Sequence, residues 1–331
     1  MKAIIPVAGA GTRLRPHTYT QPKPLIPVAG KTIISFIIDQ LVGLGIRDFV
    51  FVIGYLGEKI KLYLEKEYPN LNKEFVQQNI REGSAHAIWT ARDAIRDTEE
   101  VCIVFGDTII DVDYKKFLTS PHSCIGVKKV DDPREFGVVE INEDGTIKRM
   151  IEKPNIPKSN LAIVGLYKIR EVSQLIEVIQ ENINNDRRTH GEFQLTDGLM
   201  GMIERGIPFS TLTVDNWFDC GKKEILLETN AMLLDKEGYA SSNLPLYDNS
   251  IIIHPVSIGE NCRISNSIIG PHVTIGANTR IDYSIVKESI IGSYASIDEV
   301  VLQQSIVGSD AAIKGLSQSL NIGDNTEIDF S

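Results

Sequence analysis

Cysteine is scarce in this 331-residue sequence, and the four present, Cys102, Cys124, Cys220 and Cys262, are too far apart for a metal-binding spacing. We therefore expect reduced thiols rather than disulfides, as in a cytoplasmic protein. Long hydrophobic runs are also missing, because no segment approaches the ~18 uninterrupted apolar residues of a membrane span. The short apolar run 3–7 ends in glycines and arginines, so we interpret it as a buried strand and not as a signal peptide.

Positive charge is not in excess either. The 34 lysine and arginine residues are outnumbered by 44 aspartate and glutamate residues, which gives a formal net charge of -10. A general binder of nucleic acid or of a membrane surface would need the opposite balance. We therefore expect no nucleic-acid or membrane partner, and any anionic ligand must be attracted by a local group of cations.

Two familiar phosphate-binding motifs are absent, although the sequence has suitable glycine turns. The dinucleotide fingerprint G-x-G-x-x-G would begin at Gly9, but its third glycine is replaced by Leu14. Gly30 precedes Lys31-Thr32 as at the end of a P-loop, yet the leading glycine of that motif would be Leu25. Both motifs are therefore excluded.

What remains is the turn Gly9-Ala10-Gly11 directly after the first predicted strand, followed by Arg13, Arg15 and Lys23. Glycines allow backbone amides to approach a ligand closely, and successive amides in such a turn form an anion-binding nest. The arginines and the lysine add full positive charge, which suits a polyphosphate. The pattern predicts a phosphate-binding loop with Arg13 and Lys23 as its main cations, and it leaves the role of Arg15 open.

This loop resembles the signature of the sugar-nucleotide pyrophosphorylases, a family of nucleotidylyltransferases. The resemblance covers residues 1 to about 235 and continues, in family order, through Gln78 with Gly83-Ser84-Ala85-His86-Ala87, Gly106-Asp107, Glu135-Phe136-Gly137-Val138, Glu152-Lys153-Pro154 and Trp217-Phe218-Asp219-Cys220-Gly221. Within the family, the sequence looks most like glucose-1-phosphate thymidylyl- and uridylyltransferases that carry a C-terminal left-handed β-helix.

The resemblance implies transfer of a nucleoside monophosphate from dTTP or UTP to a sugar 1-phosphate, glucose 1-phosphate first among them, with release of pyrophosphate. The sugar phosphate oxygen attacks the α-phosphorus in line. It is already ionised near neutral pH, because the second pKa of a phosphate is about 6. No general base is needed, so catalysis consists of positioning and charge neutralisation with Mg²⁺.

The candidate site residues follow from the same blocks. Asp107 and Asp219 each end a predicted strand near a glycine, and two carboxylates with phosphate oxygens suit Mg²⁺. Gln78 is expected to read a pyrimidine, because its amide can pair with a carbonyl and with the imide N–H of uracil or thymine. The resemblance assigns the others by position: Arg13 and Lys23 to catalysis; Ala8, Gly9, Gly11, Thr12 and Gly83, with Gln78, to nucleotide binding; Gly137, Glu152, Lys153 and Gly165 to sugar-phosphate binding.

Three alternatives stay open. A guanylyl- or adenylyltransferase acting on mannose or glucose 1-phosphate would share both the loop and the C-terminal repeats. A non-catalytic regulatory homologue would share the layout, although such relatives usually lose cations or carboxylates that are present here. Asp111-Val112-Asp113 has the Asp-x-Asp form of a glycosyltransferase metal site, but its position shortly after a strand favours a helix cap.

Residues 1 to about 240 alternate between strand-like and helix-like stretches. Their patterns predict buried strands at 3–7, 49–53, 75–79 and 101–105 and helices at 33–44, 58–67 and 84–96. This alternation predicts an α/β fold, a mostly parallel Rossmann-like sheet with helices on both faces. Ligands bind beyond the carboxyl ends of the strands in such sheets, where the loop and Asp107 both fall.

From about residue 250 the sequence repeats itself. Spacings of 17, 16, 16 and 15 residues separate the pairs Ile258-Gly259, Ile275-Gly276, Ile291-Gly292, Val307-Gly308 and Ile322-Gly323. Isoleucines recur about every six residues within each period, which is the hexapeptide pattern of a left-handed parallel β-helix. We predict a catalytic domain over 1–245 and a β-helix domain over 246–331, whose regular faces favour a homo-oligomer.

Overall fold

The computed structural model describes residues 1–236 and 238–315. The chain divides into two compact units, the first over Met1–Thr229 and the second beginning at Asn230. The strands of the first unit are β1 (Lys2–Val7), β2 (Pro27–Val28), β3 (Lys31–Thr32), β4 (Asp48–Ile53), β5 (Asn72–Gln77), β6 (Val101–Val104), β7 (Thr108–Asp111), β8 (Ser123–Lys129), β9 (Gly137–Ile141), β10 (Ile147–Glu152), β11 (Leu161–Ile169), β12 (Phe209–Thr213) and β13 (Asn216–Asp219).

The helices begin directly after the strands that precede them or after short turns. They are α1 (Ile33–Gly43), α2 (Gly57–Glu67), α3 (Ser84–Thr90), α4 (Arg92–Ile95), α5 (Tyr114–Leu118), α6 (Val172–Asn184), α7 (Leu195–Glu204) and α8 (Lys223–Asp235), the last of which spans the division between the units.

Nine of these strands form one sheet in the order β10-β9-β11-β6-β1-β4-β5, with β8 paired to β11 and β12 paired to β8. Strands β6, β1, β4 and β5 are mutually parallel, as predicted. Strand β11 runs antiparallel to β6, β8 and β9. Strands β9 and β10 are joined by a short hairpin and also pair antiparallel, whereas parallel neighbours need a longer crossover connection.

Helices cover both faces of the sheet, which confirms the predicted α/β fold. In β4, Phe49 and Phe51 face a core that includes α1 and α2, whereas Val50 and Val52 face a core that includes α3, α6 and α7. Both sets of side chains are at most 2% exposed. Burial on both faces explains why these strands are continuously apolar in sequence.

Two predicted elements differ from the structure. The strand expected at 75–79 is β5, which begins at Asn72 and ends at Gln77. Its polar first half was not recognised as a strand, because β5 lies at the edge of the sheet, where polar side chains reach solvent. The helix expected at 84–96 is divided into α3 and α4 at Ala91, whose backbone leaves the helical region (ψ 4°).

Short strands of the second unit stack in three parallel sheets. They are β14 (Ile251–Ile252), β15 (Val256–Ile258), β16 (Arg263–Ser265), β17 (Ile268–Ile269), β18 (Val273–Ile275), β19 (Arg280–Asp282), β20 (Ile285–Lys287), β21 (Ile290–Ile291), β22 (Ser296–Asp298), β23 (Val301–Gln303), β24 (Ile306–Val307) and β25 (Ala312–Lys314). Successive coils align Ile264, Ile281, Ile297 and Ile313 in register.

The predicted β-helix is thereby confirmed. The first four Ile-Gly or Val-Gly pairs place their aliphatic residue at the end of a strand in the sheet β15-β18-β21-β24. The fifth pair, Ile322-Gly323, lies outside the described residues.

The four cysteines are free thiols, three of them buried and Cys262 partly buried. This agrees with the prediction of reduced cysteines. None of the helices in the described ranges is long and apolar enough to cross a membrane.

Replacing Ile103 in β6 by alanine should destabilise the first unit by about 2–5 kcal/mol, because its side chain is fully buried in the core between sheet and helices. Both tryptophans, Trp89 and Trp217, lie in this unit. Denaturant unfolding followed by tryptophan fluorescence therefore reports on it alone. The control Leu62→Ala, at a side chain 64% exposed on α2, should change stability by no more than about 0.5 kcal/mol. Equal losses in the two variants would contradict this core assignment.

Candidate active site

The glycine loop follows β1 at the carboxyl edge of the parallel strands. Gly11 adopts a left-handed conformation (φ 60°), and a 3₁₀ turn over Thr12–Leu14 follows, closed by a hydrogen bond from Leu14 N to Gly11 O of 3.0 Å. A Cβ atom at Gly11 would lie 3.0 Å from Thr18 and 3.1 Å from Lys23. Only glycine fits both the backbone conformation and this close approach, and a left-handed residue followed by a right-handed turn is the arrangement of an anion-binding nest.

A cavity of about 670 Å³ lies at this edge of the sheet. The predicted nucleotide and catalytic residues are among those that line it: Ala8, Gly9, Gly11, Thr12, Arg13, Lys23, Gln78, Gly83 and Asp107, together with Arg81, Ser84, Phe105, Glu192 and Gly221. A volume of this size is in the range of small-molecule and cofactor pockets.

Lys23 joins the two predicted metal ligands. Its side chain is only 6% exposed, and its Nζ lies 2.7 Å from Oδ2 of Asp107 and 3.2 Å from Oδ1 of Asp219. Arg13 Nη2 lies 3.3 Å from the other oxygen of Asp219. Pairing of β7 with β13 places Asp219 opposite Thr108, so it lies beside Asp107, which immediately precedes β7. We call Lys23, Arg13, Asp107 and Asp219 the charge network.

The network favours the ionised forms of Lys23 and Asp107. Burial by itself would lower the pKa of Lys23, but the charges of Asp107 and Asp219 outweigh it and raise that pKa. Burial would likewise raise the pKa of Asp107, yet the charge and hydrogen bond of Lys23, with smaller contributions from Thr108 and Arg13, lower it below its ordinary value. Two cations and two carboxylates therefore balance each other at neutral pH.

The carboxylates are a sparse donor set for a metal. Among the described residues, no group of three or more His, Cys, Asp or Glu side chains is arranged to hold an ion. Two carboxylates fit a hard cation that takes its remaining ligands from phosphate oxygens and water, as Mg²⁺ does. They do not fit a structural zinc site, which needs four protein ligands.

Gln78 and Gly83 are in direct contact at the predicted base site. Gln78 is 5% exposed, and its Nε2 donates to the carbonyl oxygen of Gly83 at 3.3 Å. Gly83 has φ 110°, and a Cβ there would lie 2.5 Å from the carbonyl oxygen of Phe193. The neighbouring Gln77, by contrast, is exposed.

The predicted sugar-phosphate residues do not line the cavity, although Gly165 contacts a residue that does. Glu152 Oε2 accepts a hydrogen bond of 2.7 Å from Thr196, and a Cβ at Gly137 would lie 3.0 Å from that oxygen. Gly165 accepts a hydrogen bond of 2.9 Å from the backbone N–H of Phe105, which does line the cavity. The side chain of Lys153 is exposed.

Sequence reasoning overlooked three residues around these candidates. Thr196 orients Glu152, and Phe105 and Glu192 line the cavity. Phe105 had a usable signal, because it precedes Gly106-Asp107 at the end of β6. Thr196 and Glu192 had none, since both reach the site from a segment more than 80 residues beyond Asp107 in sequence. Only the fold brings that segment to the cavity.

Asp113 caps a helix, as the sequence pattern favoured. Its Oδ1 accepts a hydrogen bond of 2.9 Å from the backbone N–H of Lys116 at the start of α5. Asp111 Oδ2 instead accepts from Asn216 at 3.1 Å. Asp113 therefore has a structural role at the helix end, as the helix-cap interpretation predicted, and Asp111 is hydrogen-bonded to Asn216.

Lys23→Met should lower the free energy of unfolding at pH 7 by about 1–3 kcal/mol. The substitution removes the cation that Asp107 and Asp219 share. The loss of stability should stay below the roughly 3–5 kcal/mol that breaking a fully buried ion pair costs, because the side chain of Asp107 is 40% exposed. The folded-state pKa of Asp107 is depressed, so this stabilisation is present above the ordinary carboxyl pKa of 3.8 and is lost as the pH falls below it. The difference between variant and wild type should therefore shrink at pH 3.

The control is Lys31→Met, which removes an exposed lysine 2.9 Å from Asp39. Such a surface pair contributes at most about 1 kcal/mol. Denaturation curves at pH 7 and pH 3 distinguish the two sites. A loss in Lys23→Met that is the same at both pH values would exclude the charge network as its cause.

Known proteins were compared with this chain. The family model for nucleotidyl transferases matches residues 2–236. The bifunctional protein GlmU of Methanocaldococcus jannaschii is 36% identical over 236 residues, which are 71% of this chain and 55% of that protein. A glucose-1-phosphate thymidylyltransferase of Streptomyces antibioticus is 29% identical over 276 residues, 80% of this chain and 75% of the relative.

A crystal structure of UDP-glucose pyrophosphorylase complexed with UDP-glucose matches with a TM-score of 0.59 and 26% identity, over 70% of this chain and 97% of that one. The chain spans little more than half the length of the GlmU protein it matches. A family model that covers more than two thirds of the chain, on the unit that contains the cavity, decides the classification: the chain belongs to the nucleotidyl transferase family.

Proposed function

We propose that this protein transfers a nucleoside monophosphate from UTP or dTTP to a sugar 1-phosphate, in the first instance glucose 1-phosphate, and releases pyrophosphate. The observation that carries the proposal is the cavity in which the glycine loop, Lys23, Arg13 and Asp107 meet. The names of two relatives, a glucose-1-phosphate thymidylyltransferase and a UTP–glucose-1-phosphate uridylyltransferase, support the same reaction class.

The chemistry needs positioning and charge. An oxygen of the sugar phosphate forms a bond to the α-phosphorus, the bond from that phosphorus to the bridging oxygen breaks, and its electron pair leaves with pyrophosphate. Because the attacking phosphate is already ionised, no side chain has to remove a proton. We assign Arg13 and Lys23 to the charge that develops on the triphosphate, which an arginine fork and a lysine ammonium both bind well.

Nucleotidyl transferases generally work with a divalent metal, and we propose Mg²⁺ held by Asp107 and Asp219. The ion would supply positive charge to the phosphate oxygens. If Lys23 and Arg13 turn to the phosphates, the two carboxylates lose their partners and would need the cation, so nucleotide affinity should depend on it. Lys23 and Arg13 neutralise the same carboxylates when no nucleotide is bound, and they can turn to phosphate oxygens when it enters.

The remaining assignments concern the two substrates. We assign the amides of Ala8, Gly9, Gly11 and Thr12 to the phosphates and Gln78 with Gly83 to the base. For the sugar 1-phosphate we propose Gly137, Glu152, Lys153 and Gly165. The hydrogen bond from Thr196 to Glu152 supports this role, because it orients a carboxylate that could accept from sugar hydroxyls.

We further propose that residues 1–245 form the catalytic domain and residues 246–331 the β-helix domain. Regular parallel sheets such as β16-β19-β22-β25 suit assembly, which supports a homo-oligomer. The free cysteines support a reducing, cytoplasmic location.

Pyrophosphate release measured across a grid of substrates tests the proposal. One axis holds dTTP, UTP, CTP, ATP and GTP, and the other holds the 1-phosphates of glucose, galactose, mannose and N-acetylglucosamine. We expect release confined to dTTP or UTP and dependent on Mg²⁺. Release with GTP or ATP alone would indicate the guanylyl- or adenylyltransferase instead, and silence across the grid with folded protein would indicate a non-catalytic homologue.

Two arginines of the loop make a matched pair of variants. Arg13 lines the cavity and contacts Asp219, whereas the Arg15 guanidinium lies over the ring of Tyr19 at 5.0 Å. Arg13→Ala should lower kcat/KM by about 10²–10³-fold, as does the loss of one preorganised contact to a developing charge. Arg15→Ala should leave the rate close to that of the wild type. Steady-state kinetics with the preferred substrates would contradict the assignment if both variants lost activity equally.

A further inference from the structure

The side-chain amide of Gln78 has both of its N–H groups engaged within the protein. Its Nε2 lies 3.3 Å from the carbonyl oxygen of Gly83 and 3.0 Å from Nδ1 of His86. A carbonyl oxygen can only accept a hydrogen bond, so Nε2 and not Oε1 must face Gly83. Across the part of the chain that the structure describes, no hydrogen bond to Oε1 of Gln78 is formed. The amide therefore offers an acceptor and no donor to the cavity that it lines.

His86 fixes this orientation from its own restrained position. Because Gln78 donates, Nδ1 of His86 accepts and carries no proton, and the proton of the neutral ring lies on Nε2. That nitrogen is 3.6 Å from Oε2 of Glu82, whose other oxygen is 2.7 Å from Nη2 of Arg188. The ring also stacks on Trp89 with centroids 5.8 Å apart. Contacts on three sides thus hold the imidazole in one orientation.

We infer that His86 is a positioning residue for base selection, which holds the amide of Gln78 so that only its acceptor oxygen faces the nucleotide. The inference rests on the proposed function and deepens it. It also changes one expectation from the sequence, that the amide would pair with both a carbonyl and an imide N–H. Neither N–H of Gln78 remains for the base, so the base carbonyls must find their donors elsewhere.

An acceptor at this position distinguishes the pyrimidines. Nucleotides of uracil and thymine carry one N–H on the base, at N3, so Oε1 of Gln78 is matched to that group. Cytosine in the same pose presents an unprotonated N3, and two lone pairs would then face each other. A site that offers only a hydrogen-bond acceptor rejects a ligand without a matching donor strongly, because the buried acceptor of the site is then left unpaired.

The arrangement requires a neutral His86. Burial lowers the pKa of His86, the negative charge of Glu82 raises it, and the positive charge of Arg188 lowers it. The pKa of His86 therefore lies below its ordinary value of 6.5. A further charge on the neighbouring aromatic ring is that of Arg92, which lies 3.9 Å from the ring centroid of Trp89. In acid, Nδ1 gains a proton and faces an N–H of Gln78, so the orientation of the amide is no longer held.

Equilibrium binding of Mg–UTP and Mg–CTP, measured by calorimetry, tests the inference without turnover. The readout is the ratio of the Kd for CTP to that for UTP in wild type, His86→Leu and His86→Asn. Leucine cannot accept, and we expect the ratio to fall at least about tenfold. Asparagine can place Oδ1 where Nδ1 lies and cannot be protonated, so it should keep the ratio. From pH 8 to pH 5 the ratio should fall further in wild type than in His86→Asn, because protonation of cytosine N3 near pH 5 affects both proteins equally and protonation of His86 affects only the wild type.

The protonation state of the ring is measured independently by NMR of ¹⁵N-histidine-labelled protein, with His86→Asn identifying the signal. We expect an unprotonated Nδ1 at pH 8. A proton on Nδ1, an unchanged ratio in folded His86→Leu, or failure of asparagine to keep the ratio would overturn the inference. Pyrophosphate release by the wild type is scored separately: its absence would refute the proposed reaction, while the ratio and the NMR signal would still decide the role of His86.

Discussion

The ammonium of Lys23 lies between Asp107 and Asp219, and Arg13 contacts the far side of Asp219. This charge network is the constraint on which the rest of the site depends. Isolated carboxylates next to a triphosphate would repel it, and isolated cations in a buried site would lose their hydration without compensation. Held together, the four groups carry no net formal charge. In the proposed complex, Lys23 and Arg13 exchange the carboxylates for phosphate oxygens, and the carboxylates exchange these cations for the metal ion.

The fold around the network can be understood from this requirement. The loop after β1 brings Arg13 and the backbone nest to the carboxyl edge of the sheet, and the pairing of β7 with β13 brings the carboxylates together. Space is so limited that a Cβ at Gly11 would crowd Lys23 and one at Gly221 would lie 2.5 Å from the Arg13 guanidinium. The two apolar cores on either face of the sheet fix the strands from which these residues project.

Much of this was readable from the sequence. Glycines next to cations, carboxylates at strand ends and a 15- to 17-residue repeat are local patterns, and they predicted the loop, the Asp107–Asp219 pair and the β-helix. Three features were not readable because they depend on partners distant in the chain. These are the antiparallel end of the sheet, the hydrogen bond from Thr196 to Glu152, and the polarity of the Gln78 amide, which its contacts with Gly83 and His86 decide.

We propose that Asp107 and Asp219 make nucleotide binding depend on a divalent cation. Calorimetric titration with UTP, in Mg²⁺ and in EDTA, tests it most directly when the wild type is compared with the double variant Asp107→Asn/Asp219→Asn. The account predicts that the wild type binds at least about tenfold more weakly in EDTA, and that the variant binds equally under both conditions. Equal affinity of the wild type with and without the metal would contradict it.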